Sequence, residues 1–125
     1  MHLGIEQGKR IMDIQKEFNT LYPYLKLEFF RNLSPQNHLS AKAEKIRPEE
    51  LIHKIIRLKD PGSINIDGKR TVAQLVEDFW GNFGLSALVF RKSGNLWIET
   101  SLTDSWTLVR QNKIGESFST RQGNF

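Results

Sequence analysis

A chain of 125 residues with a formal net charge of +4 and a pI of about 9.5 is long enough to bury one core and too short for two, so residues 1–125 are expected to form a single domain. Its 38% hydrophobic and 26% charged residues are those of an ordinary globular protein and exclude a disordered or fibrous chain. The absence of cysteine excludes disulfides, zinc–thiolate sites and cysteine nucleophiles.

In chain order, Leu3 and Ile5 mark a short alternating strand that a Gly8-Lys9-Arg10 turn leads into a helix with apolar residues at Ile11, Ile14, Phe18, Leu21 and Tyr22. Pro23 stops that helix, and Tyr24–Arg31, rich in aromatic and apolar residues, reads as a strand. Residues 32–47 form a polar connection. Pro48 with Glu49 and Glu50 in the first turn then predicts a helix to about Lys59, ended by Asp60-Pro61-Gly62.

Ile64 and Ile66 begin a second strand, and Gly68-Lys69-Arg70 leads to a helix opened by the capping-box spacing of Thr71 and Gln74. Val72, Leu75, Val76, Phe79 and Phe83 form its stripe, and Gly84 ends it. Leu85–Lys92 reads as a strand joined by a hairpin turn, Lys92-Ser93-Gly94-Asn95, to Leu96–Ser101. A short helical turn from Thr103 or Asp104 carries Trp106, Leu108 and Val109, leaving 119–125 as a polar tail.

An offset of 61 sets Leu3 on Ile64, Ile5 on Ile66, Ile11 on Val72, Ile14 on Leu75, Phe18 on Phe79 and Leu27 on Leu88. The chain therefore reads as two β-α-β pseudo-repeats, about 2–31 and 63–101. The expected fold is α+β: a two-layer sandwich, with a mixed sheet of about five strands and the helices on one face. If Ser93-Gly94 makes the turn, Phe90 faces Trp97 and Leu88 faces Glu99, while Ala87, Val89, Arg91, Leu96, Ile98 and Thr100 share the opposite face. The offset maps Leu27 and Phe29 onto Leu88 and Phe90. This assigns Leu88, Phe90 and, across the hairpin, Trp97 to the core.

Catalytic and metal templates are empty. His2, His38 and His53 lack ligand spacing, and the neighbours Glu49-Glu50 and Glu77-Asp78 point about 100° apart on their expected helices rather than sharing a proton. No serine has a nucleophile-elbow context, and Lys92-Ser93-Gly94 reads as turn chemistry. The two Gly-Lys-Arg turns precede helices, whose free N–H groups can bind phosphate, yet they lack the spacing of a phosphate-binding loop.

The densest cluster of polar and aromatic residues is Arg91, Lys92, Asn95, Trp97, Glu99, Thr103, Asp104 and Trp106. These are the candidate ligand or partner residues. No catalytic residue, metal ligand or cofactor site is assigned.

From Thr71 onward the strings Phe83-Gly84-Leu85, Val89–Asn95, Trp97–Thr100, Thr103–Leu108 and Gln111-Asn112 resemble a segment of a family of small bacterial proteins without a known activity. The resemblance covers the C-terminal third to half of the chain and implies a domain identity without a function. The second half also resembles the ubiquitin-like β-grasp pattern, with a capped helix, an apolar strand, a glycine hairpin and a late turn around Thr107-Leu108, Asn112 and Ile114. It lacks a hairpin before the helix and the terminal Gly-Gly of conjugation.

The leading functional expectation is a non-enzymatic binding or assembly domain that acts through its sheet, with itself as a homodimer or with a protein partner. The second is nucleic-acid binding by a basic sheet face with Phe30, Phe90 or Trp97 as stacking platforms. It is disfavoured by the mild charge and by the core assignment of Phe90 and Trp97. The third is a small-ligand protein or enzyme with a cleft near Arg91, Glu99 and Asp104, beside Trp106. The opening MHLGIEQGKR has no apolar signal-like segment, and the longest apolar stretch, Leu85–Phe90, is far shorter than the roughly 20 residues of a membrane helix. A cytoplasmic domain without membrane contact is expected.

Overall fold

A computed structural model of the chain describes residues 1–31, 33, 43–58 and 60–120. Among these residues six strands, three α-helices and two 3-10 turns follow in the order β1 His2–Ile5, α1 Ile11–Leu21, β2 Leu25–Arg31, β3 Glu44–Lys45, a 3-10 turn Ile52–Lys54, β4 Gly62–Asn65, α2 Val72–Phe83, β5 Ser86–Ser93, β6 Leu96–Glu99, a 3-10 turn Ser101–Thr103 and α3 Leu108–Thr120. The fold is α+β. Four strands form one sheet in the order β3-β2-β5-β6, and β1 and β4 form a separate ribbon.

All four described strand pairings are antiparallel, which corrects the mixed sheet expected from two β-α-β units. A crossover helix makes a parallel pair only when both of its strands join one sheet. Here β1 leaves to pair with β4, with Leu3 opposite Ile64, and β2 pairs with β5, with Leu27 opposite Val89.

The core forms where the apolar stripes of α1 and α2 cover one face of the large sheet. Ile11, Ile14 and Phe18 of α1, Val72, Leu75 and Phe79 of α2, and Leu25, Leu27, Phe29, Ala87 and Val89 of the strands are all buried in one cluster with Leu3, Ile5 and Ile64 of the ribbon. Phe29 and Phe79 meet edge to face with ring centroids 5.2 Å apart, a favoured aromatic geometry. Leu21, expected inside, is exposed.

The N-termini of α1 and α2 are closed by later segments of chain. Ile11 and Met12 donate to the carbonyls of Glu50 and Pro48, and Val72 and Ala73 donate to those of Trp106 and Asp104. The first of these closures explains why the helix expected over Pro48–Lys59 is reduced to one 3-10 turn. Glu50 O would accept from Lys54 N in an α-helix, but it is bonded to Ile11, and Lys54 N turns to Leu51 O. The two Gly-Lys-Arg turns act as caps in return: Lys9 O accepts from Ile52 N, while Gly68 O and Arg70 O accept from Val109 N and Leu108 N at the start of α3.

Helix α3 replaces the short turn expected from Thr103. Its start is set by Thr107, whose Oγ1 accepts from Arg110 N at 3.2 Å, and it runs through 119 and 120, the first residues of the expected polar tail. Residues 121–125, most of the 32–47 connection and His38 lie outside the described residues. The segment that the β-grasp likeness sets as a late turn, Thr107–Ile114, lies at the start of this helix. α3 packs against β5 at Gly115, where a Cβ would stand 2.8 Å from Tyr24 Cβ and 3.1 Å from Arg91 Cγ, so only glycine allows that approach.

Candidate functional site

The hairpin turns at Gly94-Asn95, with Gly94 at φ +62, instead of at Ser93-Gly94. Ser93 then opposes Leu96, Lys92 opposes Trp97, Arg91 opposes Ile98 and Phe90 opposes Glu99. This two-residue slide leaves the division of faces as expected, because side chains alternate with a period of two. What changes is which face is the core. Ala87 and Val89 lie on it, while Phe90 and Trp97 stand half-buried on the outer face, away from the main core. Leu88 belongs to a small separate cluster with Phe30 and Leu33.

The eight candidate residues consequently divide. Lys92, Trp97 and Glu99 lie on the outer face; Arg91, Thr103 and Trp106 lie on the side of α3; Asn95 stands exposed at the hairpin tip; and Asp104 stands exposed beside α2.

The group on the α3 side holds elements together. Arg91 Nη1 donates to Gln111 Oε1 at 2.8 Å, and Gln111 Nε2 donates to Thr103 O and Thr103 Oγ1 at 2.7 and 2.9 Å. The Trp106 ring takes the Arg91 and Arg110 guanidinium groups at 5.5 and 4.0 Å, cation–π contacts that favour an arginine over a lysine. Burial lowers the Arg91 pKa from its ordinary value. Gln111 is completely buried and is the pivot of this network. The sequence shows it only as a polar residue on a polar helix, so no periodicity signals it. Asn112 adds a second clamp by accepting from Tyr24 N at 2.9 Å.

The outer face carries a different chemistry. Lys26 Nζ lies 4.9 Å from the Trp97 ring centroid and 5.7 Å from that of Phe90. Its ammonium also approaches Glu28 at 3.5 Å, and Lys45 reaches the other Glu28 oxygen at 3.3 Å. Glu28 is therefore a buried carboxylate held between two lysines, which offset its desolvation. Glu99 Oε1 accepts from Ser101 N at 2.8 Å and from Ser101 Oγ. A groove of about 330 Å³ runs beside these groups, bounded by Met12, Gln15 and Asn19 of α1 and by Lys26, Glu28 and Trp97.

Another cleft, of about 90 Å³, lies between Val72, Ala73 and Val76 of α2 and the stretch of β5 that β6 does not reach, with Glu99 and Asp104 at its rim. Arg91, which the enzyme reading joins to these carboxylates, stands across the sheet from Glu99. Among the described residues no three His, Asp or Glu side chains gather as a metal site, and no helix is long and apolar enough to cross a membrane. What the outer face offers is stacking on two aromatic rings, flanked by ammonium groups. Compared with family models, with curated proteins and with solved structures, the chain matches none.

Proposed function

We propose that the chain works by binding, without bond-making chemistry, and that its working surface is the outer face of the four-stranded sheet, engaging a protein partner or a second copy. The observation that carries this reading is the position of Phe90 and Trp97, half-buried on the outer face and joined there by Lys26. Two rings left partly open beside lysines are costly in a surface that contacts only water and are common at interfaces. Of the candidate residues, Lys92, Trp97 and Glu99 belong to that surface, and Arg91, Thr103 and Trp106 support the α3 side.

A photo-crosslinking residue at position 92 tests this in source cells, with the same residue at exposed position 57 as the control. Adducts specific to position 92 that vanish in a Trp97→Ala background are expected. Equal labelling at both positions would remove the outer face from consideration.

Single-stranded nucleic acid is the second reading, and one observation favours it: the core placement of Phe90 and Trp97 that counted against it does not hold. Nuclease treatment before irradiation separates the two, since it removes the adduct only when the partner is nucleic acid. A phosphate-driven association would also fall with salt at a log–log slope of about 0.7 for each phosphate contacted.

A further inference from the structure

The large sheet ends in two edges that are protected very differently. β3 is two residues long, and both of them, Glu44 and Lys45, are charged and exposed. Short length and charge are common devices by which a sheet edge refuses further strands. β6 has neither. Its sequence is Leu-Trp-Ile-Glu, with no lysine or proline, and Leu96 is 69% and Ile98 42% exposed. No strand pairs with its outer side among the described residues.

The direction of its backbone groups follows from one bond. Thr100 N donates inward to Val89 O at 3.2 Å. Because these groups alternate along a strand, Ile98 and Leu96 also turn theirs toward β5, while Trp97 and Glu99 turn theirs outward. Four hydrogen-bonding groups thus line an edge whose exposed side chains are apolar.

We propose that β6 pairs antiparallel with β6 of a second copy, about a two-fold axis between the two Ile98 residues, joining two four-stranded sheets into one of eight strands. A two-fold axis normal to the sheet keeps each side chain on its own face, so the residue on the axis must oppose itself. Glu99 on the axis would set two carboxylates against each other, which is unfavourable. Trp97 on the axis would oppose Glu99 to Asn95, which lies in the turn rather than in the strand.

Ile98 on the axis satisfies all four outward groups of each strand through pairs between Trp97 and Glu99 of the partner subunit. It also merges Leu96 and Ile98 of both copies into one apolar patch. The charges agree, because Lys92 is the inward neighbour of Trp97 on the same face, so each Glu99 meets a tryptophan backed by the other copy's lysine.

Two four-residue strands share less surface than the roughly 1,200–2,000 Å² of a standard stable interface, so the dimer is weak and concentration-dependent. Its apolar contact lies on the Leu96–Ile98 face, its Trp97–Glu99 pairs adjoin the outer face, and its test at position 98 reads the strand edge rather than the ligand of that face.

The cysteine-free chain allows a direct test. Residues opposed at a non-hydrogen-bonded pair lie about 4.5 Å apart at Cα, inside the roughly 4.4–6.8 Å range of disulfides. Ile98→Cys should oxidise to a covalent dimer, whereas His53→Cys, at an exposed position elsewhere, should stay monomeric. In sedimentation over about 10 μM to 1 mM, the span of weak affinities, the unmodified chain should shift toward a dimer. Ile98→Lys should weaken that association at least about tenfold by opposing two ammonium groups. If Ile98→Lys lowers helicity, Leu96→Lys replaces it. A chain monomeric throughout, equal cross-linking at positions 98 and 53, or a dimer that tolerates a lysine at the edge would overturn the proposal.

Discussion

The segment β1-α1-β2 and the segment β4-α2-β5 do the same packing work and leave their helices differently. Phe18 and Phe79 are both fully buried, and both helix N-termini donate to carbonyls of a later segment. The divergence comes at the C-termini. α1 ends through Tyr22, with Pro23 and Tyr24 before the strand, and Leu25 N returns to Tyr22 O. α2 ends at Gly84, whose left-handed backbone at φ +64 reverses the chain in a single residue. Phe18 is therefore seven residues from buried Leu25, whereas Phe79 is six from buried Leu85. One residue fewer in the turn changes which strand residues face the core, and that places Phe90 and Trp97 outside.

A second difference lies along the free edges. β2 between Leu25 and Glu28 has no β3 partner, and its carbonyls are met by α1: Asn19 Nδ2 donates to Leu25 O at 2.8 Å and Gln15 Nε2 to Leu27 O at 2.9 Å. The matching stretch of β5 faces Ala73 and Val76, which carry no donor. One edge is finished by the protein itself, and the other is left as a cleft.

If the two helices carry equal shares of the core, Phe18→Ala and Phe79→Ala should each cost about 3–5 kcal/mol. Denaturant titration reads both, and a loss under about 1 kcal/mol at either position would end the equivalence. Gly84→Ala should cost about 1–2 kcal/mol, because a Cβ strains the left-handed conformation even though the space around it is open. An unchanged midpoint would mean that the second helix does not depend on its one-residue exit.

Asn19→Ala and Gln15→Ala should each cost about 1 kcal/mol by leaving a strand carbonyl without its donor, while Val76→Thr should leave amide exchange at Ala87 unchanged. Slower exchange at Ala87 in that variant would show that the β5 edge can also be closed from α2, there by a hydroxyl accepting from the Ala87 N–H.

A comparable effect at neutral pH, with a distinct pH dependence, is expected at Tyr22. Its hydroxyl donates to Ile66 O at 2.6 Å, and burial first, then the Asp67 carboxylate, raises its pKa above the ordinary value of 10.0. A raised folded-state value means that the neutral phenol is the form the fold prefers. Its stabilisation is complete below pH 10 and is lost as pH rises through the folded value. Tyr22→Phe should cost about 1 kcal/mol near pH 7 and flatten the alkaline loss. A denaturation profile above pH 10 that is the same in both proteins would show that the phenol does not titrate with folding.

The sequence by itself determined the local elements, because their signals are local. The Thr71–Gln74 spacing opens α2 as a capping box, Thr71 Oγ1 accepting from Gln74 N at 3.1 Å and Gln74 Oε1 from Thr71 N at 2.9 Å, and the apolar stripes name Ile14, Phe18, Leu75 and Phe79 as core. It also marked the hairpin around Gly94 and the two faces of β5. Only the tertiary structure decided how those pieces were used. The helix expected after Pro48 was lost because its carbonyls cap α1, and α3 was hidden because its buried stripe is Leu108, Gln111 and Gly115, two of them invisible to hydrophobic periodicity. The candidate cluster was found as a run of sequence but divided by the sheet. A strand sends alternate side chains to opposite faces, and which face becomes core is set by the helix exit and the partner strand rather than by the strand's own residues.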